Sequence, residues 1–178
     1  MDDRRRRFEA LVLPHLDAAY RLARWLSRSP GDADDVVQEA ILRAYRGFDA
    51  LRGTDVKAWL LTIVRNCHWT ALKQQQRRAH VPLPEEHDVP ALIATTPEPE
   101  SASIRRDEER TFDRLLSALP EEQREILVLR EIEEMDYRAI AAIVNVPIGT
   151  VMSRLARARA ALRARWLQEA QGEPHAVR

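Results

Sequence analysis

The sequence contains a single cysteine, Cys67, and only five glycines among 178 residues. One thiol cannot close an internal disulfide, which fits a reducing compartment. Scarce glycine, with long stretches of Ala, Leu, Glu and Arg, predicts an all-α chain. No apolar run approaches the roughly 20 residues that a membrane-spanning helix needs. The opening MDDRRRRFEA lacks the apolar centre of a secretory signal. A soluble, intracellular protein without membrane insertion is therefore expected. Catalytic signatures are missing as well: there is no Gly-rich phosphate loop, nucleophile elbow or kinase motif. Cys67 and His68 are neighbours, but the five histidines are dispersed, and zinc needs about four converging ligands. The expectation is no enzyme, no catalytic residue, no metal site and no cofactor.

Net charge is absent too, with 28 Lys and Arg against 28 Asp and Glu. The zero is a sum of unlike parts. Residues 1–80 carry an excess of cations and residues 81–112 an excess of acids. In the remainder, the stretch from Arg138 to Arg165 holds only cations. Such asymmetry suits an anionic partner for selected faces. Five of the ten prolines fall between Pro82 and Pro99. Proline removes a backbone donor and restrains the preceding residue, so this stretch should be extended. It divides the chain into a helical module over 1–80, a flexible, acidic, Pro-rich linker over 81–103, a second helical module over 104–170 and a tail over 171–178. With Gly and Pro in the tail, disorder is the default there.

In the first module, Phe8, Val12, Ala19, Leu22, Ala23 and Leu26 recur at helical spacing, with Pro14 marking a kink or restart. SPGD then interrupts. Asp32 can cap the next helix, with Asp34 and Asp35 in its first turn opposing the positive end of the dipole. Val37, Ile41, Ala44, Tyr45 and Phe48 form its buried stripe, which leaves Asp35, Gln38, Glu39, Leu42 and Arg46 outward. An apolar Leu42 inside a polar rim fits a docking patch for another protein. It equally fits an ordinary exposed leucine beside helix-start acids. The loop DALRGTD leads into VKAWLLTIVRNCHWTALKQQQRR, where Leu60, Ile63, Val64, Cys67 and Ala71 can face a core. Lys57, Arg65, Asn66, Trp69, Lys73 and Arg77 share the other side. Cations interleaved with an aromatic suit single-stranded nucleic acid, since phosphate needs charge and an unstacked base needs a flat surface. A solvated face with a half-buried tryptophan would look the same.

The second module is more specific. Phe112, Leu115, Leu116 and Leu119 form one amphipathic segment, and EEQRE opens another carrying Ile126, Leu127, Val128, Leu129 and Ile132. Asp136 can cap a short helix, YRAIAAIV, and Asn145 to Pro147 turn the chain into IGTVMSRLARARAALRARW. Two helices joined by a tight turn, the second strongly basic, form a helix-turn-helix. Val151, Leu155, Ala158 and Leu162 point inward in this register. Gly149, Thr150, Ser153 and Arg157 point outward near the helix start, with Arg154 at the flank. That first turn is where base edges are read. Arg159, Arg163 and Arg165 lie further along, placed for phosphates or solvent.

The succession DADDVVQEAILRAYRGF, KAWLLTIVRN and LPEEQREILVLREIEEMDYRAIAAIVNVPIGTVMSRLARARAAL resembles the extracytoplasmic-function (group 4) sigma factors of bacteria, within the sigma-70 family. The resemblance runs from Phe8 to about Trp166, with Met152 and the run CHWT departing from the usual pattern. It implies a sigma region 2 helical bundle and a sigma region 4 helix-turn-helix, acting in the bacterial cytoplasm with core RNA polymerase and promoter DNA as partners. Asp35, Gln38, Glu39 and Leu42 would bind the clamp helices of the largest polymerase subunit, and region 4 its flap. Arg52, Thr54, Asp55, Lys57, Arg65, Asn66, Trp69 and Lys73 would capture the minus-ten strand, with one base flipped out. Arg138, Thr150, Ser153, Arg154 and Arg157 would meet the minus-thirty-five duplex. The linker would thread towards the polymerase channels, and a cognate anti-sigma factor would hide these faces until a signal arrives. A stand-alone helix-turn-helix regulator would use the last module but leave the α-helical patch around Leu42 without purpose. A helical hydrolase would need convergent acids or histidines.

Overall fold

The computed structural model describes residues 2–27, 29–51, 53, 55–79 and 111–172. Arg52, Thr54, the linker expected at 81–103 and most of the tail lie outside these residues. Everything regular among them is helical. Helix α1 spans Asp2–Val12, and a short 3-10 turn, Leu13–His15, absorbs Pro14 before α2, Leu16–Leu26. Helix α3 is Pro30–Gly47 and α4 is Val56–Ala79. In the second module, α5 covers residues 111–117. Helix α6, Glu121–Leu127, runs on through a π turn at Val128–Ile132, and α7 is Tyr137–Val144. Helix α8, Ile148–Gly172, closes the described chain.

Helices α2, α3 and α4 form a bundle in which Leu22, Leu26, Leu60, Leu61 and Val64 are essentially fully buried. Phe8 of α1 closes one end. Its ring meets Tyr45 at 5.1 Å and Phe48 at 5.3 Å, both edge to face, the geometry that the ring quadrupole favours. One expectation is corrected here. The cap of α3 is Ser29, whose extended backbone lets its Oγ accept the Asp32 N–H at 3.1 Å. Pro30 then occupies the first helical position, where its missing donor costs nothing. Asp32 therefore sits within the first turn, and Asp34 and Asp35 lie beyond it. Ala71 is also exposed rather than core-facing, while Leu72 beside it is buried.

The second module starts its short helix as expected. Asp136 Oδ1 accepts the Ala139 N–H at 2.8 Å, satisfying one of the orphan donors of α7. Asn145 ends α7 in the left-handed region at φ 54°, which asparagine tolerates better than most residues. From there α8 departs at 99° to α7. Val151, Leu155 and Ala158 are buried along the inner side of α8.

The two modules are packed together. Their apolar side chains form one continuous cluster, α2 lies against α6, and α4 against α7. Trp25 of α2 meets Phe112 of α5 edge to face at 6.2 Å. Among the described residues no single helix is long and apolar enough to cross a membrane.

Candidate nucleic-acid interface

Three surfaces carry the residues singled out above. On α3, Asp35, Gln38, Glu39 and Leu42 stand at i, i+3, i+4 and i+7 and so share one face. Leu42 is 52% exposed. Arg43 Nε donates to Glu39 Oε1 at 2.6 Å along the same helix. Asp35 and Glu39 also border a groove that continues to Cys67, His68 and Leu72 of α4. Burial pushes the Cys67 thiol up, with nearby Glu39 adding to the effect and Arg43 opposing it. Burial pushes His68 down and so favours its neutral ring. Among the described residues no cluster of three His, Cys, Asp or Glu side chains is placed to hold a metal ion.

The α4 surface is only partly open. Asn66 and Lys73 are exposed and Trp69 is half-buried. Asp55 has a structural duty, since its Oδ1 accepts the Ala58 N–H at 2.8 Å and caps α4. Lys57 Nζ lies 3.0 Å from Glu133 Oε2 and also donates to the Glu133 carbonyl at 2.8 Å. Arg65 Nε donates to Glu125 Oε1 at 2.7 Å, and its guanidinium lies 5.9 Å over the Trp69 ring. Two cations expected to meet DNA are thus engaged by acids of the second module.

Glu125 and Glu133 were not singled out from the sequence. Both are buried, with side chains 1% and 0% exposed. Arg21 of α2, likewise unflagged, grips Glu133 with both arms of its fork, Nε to Oε1 at 2.8 Å and Nη2 to Oε2 at 3.1 Å. Burial pushes the Glu125 carboxyl above its ordinary range, and Arg65 only partly opposes this. A signal for these acids did exist. Positions 125, 129 and 133 recur every four residues through buried Leu129, so Glu125 and Glu133 lie on the inward side.

On α8, Ser153 and Arg157 are exposed and Thr150 is half-exposed. Ser153 Oγ donates to the Thr150 carbonyl at 3.0 Å, and Arg157 Nε reaches the Ser153 carbonyl only at 3.3 Å. The Arg157 guanidinium is therefore lightly held and available to a ligand. Arg138 is exposed on α7. Arg154 differs: its side chain is 20% exposed, and Nη2 lies 2.7 Å from Glu122 Oε2. Exposed Met152 and Ile148 add apolar surface beside this polar row.

Comparison with known proteins bears on both modules. The family model described as Sigma-70 region 2 matches residues 11–78, and that described as Sigma-70, region 4 matches residues 109–162. The chain is 37% identical over 143 residues to the ECF RNA polymerase sigma-E factor of Escherichia coli K12, covering 74% of this chain and 72% of that protein. It is 36% identical over 158 residues to the ECF RNA polymerase sigma factor SigE of Mycolicibacterium smegmatis, covering 88% and 60% respectively. Among solved structures it is similar to the sigma factor RpoE in complex with the anti-sigma factor NepR from Bartonella quintana. That likeness has a TM-score of 0.69 at 27% identity and covers 92% of this chain and 96% of that one. It is also similar to CnrH in complex with the cytosolic domain of CnrY, with a TM-score of 0.61 at 25% identity over 93% and 90% of the two chains. The two family matches contain every candidate site residue, and the acidic, Pro-rich stretch lies between them.

Proposed function

The chain belongs to the extracytoplasmic-function sigma factors of the sigma-70 family, and from that premise we propose how its two modules divide the work of promoter selection. It is an alternative sigma factor: a transcription initiation factor, not itself an enzyme, that directs core RNA polymerase to particular promoters in the bacterial cytoplasm. The observation that carries this is the pairing, in one chain and in this order, of a region 2 bundle with a region 4 helix-turn-helix. A stand-alone regulator needs only the second.

The face of α3 formed by Asp35, Gln38, Glu39 and Leu42 docks on the clamp helices of the largest polymerase subunit. Its apolar centre and polar rim suit a protein contact. The face of α4, with Lys57, Arg65, Asn66, Trp69 and Lys73, together with the loop through Arg52, Thr54 and Asp55, takes the minus-ten strand as it melts. Flipping a base out of the stack costs a few kcal/mol, which contacts in a pocket repay. The first turns of α8 enter the minus-thirty-five major groove. There Thr150, Ser153 and Arg157 read base edges, Arg154 lies at the flank, and Arg138 holds the backbone. One solved relative is bound to the anti-sigma factor NepR and the other to the cytosolic domain of CnrY, and this chain is held inactive by a cognate anti-sigma factor.

Run-off transcription tests the whole reading. Bacterial core polymerase is supplied with promoter fragments from the source genome, with and without the protein. Specific transcripts that depend on the protein are expected, and their aligned upstream regions define both elements. No transcripts, with sequence-specific duplex binding by the protein alone, would make it an ordinary helix-turn-helix regulator.

A further inference from the structure

We propose that Met152, with Ile148 one turn before it, reads the C5-methyl group of a thymine in the minus-thirty-five major groove, adding an apolar determinant to the polar row of α8. This rests on the sigma-factor reading above and deepens it at a residue to which that reading gives no role. Met152 is 52% exposed and Ile148 41% exposed. Neither belongs to the apolar core of the chain, so packing does not account for them. They stand at i and i+4 and share one edge of the helix. Of the other exposed apolar side chains in the second module, Phe112 and Trp166 border a common groove towards the far end of α8, and Leu167 follows Trp166.

The position favours duplex DNA over a protein partner. Ile148 and Met152 lie in the first turns of α8, the part of a recognition helix that enters the groove. Thr150 and Ser153 are interleaved with them, and a Cβ added at Gly149 would meet nothing within 4 Å, so a base edge can come close. From Ile148 to Gln168 the helix holds no acid to repel phosphate. Thymine alone among the four bases presents a methyl group in the major groove. Hydrogen bonds from Thr150, Ser153 or Arg157 cannot sense that group, whereas an apolar side chain can bury it. Methionine is unbranched and polarizable, which suits it to follow the outline of a methyl group. Burial of this kind displaces no counterions, so it differs from a phosphate contact in its indifference to salt.

The test removes the methyl group from the DNA. The full-length protein first selects a preferred duplex from a random pool, which needs no polymerase. Each thymine of that duplex is then replaced singly by uracil, which lacks the methyl group and keeps every hydrogen-bonding group. Fluorescence anisotropy should show uracil weakening binding about fourfold at one or two positions, the worth of one buried methyl group. The ratio should be the same at low and high salt. At those positions M152Q, similar in length but polar, should bind thymine and uracil duplexes alike, and M152L, apolar again, should keep a preference for thymine. Indifference of the parent protein to every uracil overturns the proposal, as does a pool that yields no preferred duplex. A uracil penalty that M152Q keeps in full also overturns it. If M152Q then lowers run-off transcription from every promoter alike, Met152 is a protein contact instead. Run-off transcription with the unmodified chain separates the two failures. Transcripts without a uracil penalty reject the role of Met152 alone. Absence of transcripts rejects the sigma-factor reading, and the uracil comparison still decides whether α8 reads a methyl group.

Discussion

Arg157 and Arg154 stand three residues apart on α8 and were expected to do similar work at the minus-thirty-five element, yet their surroundings predict opposite phenotypes. Arg157 is exposed and held only by a 3.3 Å approach to the Ser153 carbonyl. Alanine is the best helix former, so R157A should change stability by no more than about 0.5 kcal/mol. If Arg157 reads a base, the substitution should cost about 1–3 kcal/mol of duplex binding, roughly 5- to 150-fold in Kd, and should relax the preference at one position. Arg154 is mostly covered, and its partner Glu122 is 60% exposed. Half-exposed ion pairs are worth at most about 1 kcal/mol. With the lost stem packing, R154A should lower stability by about 1 kcal/mol and Tm by about 2–4 °C. The double-mutant cycle with E122Q should recover a coupling of about 0.5 kcal/mol. Fluorescence anisotropy on the minus-thirty-five duplex defined by run-off transcription, beside urea unfolding, measures both. An equal loss on every sequence would demote Arg157 to a phosphate contact. No loss at all would mean that this is not the DNA face of α8, and a destabilised R157A beside an unaffected R154A would refute the structural argument.

Glu134 adopts φ 55° between the π turn and α7, where an L-residue pays about 1–2 kcal/mol and glycine almost nothing. Allowing for the greater freedom of glycine in the unfolded chain, E134G should stabilise by about 0.5–1 kcal/mol in urea, and a destabilised variant would contradict that backbone. Burial raises Glu125 above its unfolded value of about 4.3. A raised carboxyl contributes stability that is whole below that unfolded value and lost as pH climbs through the folded one. Melts across this range should therefore show E125Q gaining on the parent as pH rises, and parallel curves would refute the desolvation. Cys67 is buried with its thiol pushed up, and thiolate is the reactive form. A disulfide reagent should therefore label it slowly in native protein and quickly in urea, and prompt native labelling would place it at the surface.

Local chemistry was legible wherever a neighbouring side chain settled the backbone. Asp136, three residues before the amide it caps, and Asn145 in the left-handed region bracket α7 as expected, because capping and positive φ are decided within a few residues. The start of α3 was misplaced for a related reason. Asp32 and Ser29 are both competent caps, and Pro30 read as a breaker, although its fixed φ suits the first helical turn. The stripe on α4 held through Leu60, Val64 and Cys67 and failed at Ala71, where Leu72 takes the buried place. Lys57 and Arg65 were recognisable as a cationic face. Their partners were not, because Glu125 and Glu133 lie 60 and 76 residues away along the chain, and only packing between modules joins them.

That pairing also changes what the zero net charge means. A neutral protein would attract DNA poorly at every point if its acids were evenly spread. Here Glu125 and Glu133 are turned inward against Arg21, Lys57 and Arg65. Glu122 and Glu131 are paired with Arg154 and Arg159 on the surface. Exposed Arg138, Arg157 and Arg163 are left to set the local field of α7 and α8. Local excess, and not total charge, governs how many phosphates a face can neutralise. The described residues therefore present a positive face at the helix-turn-helix.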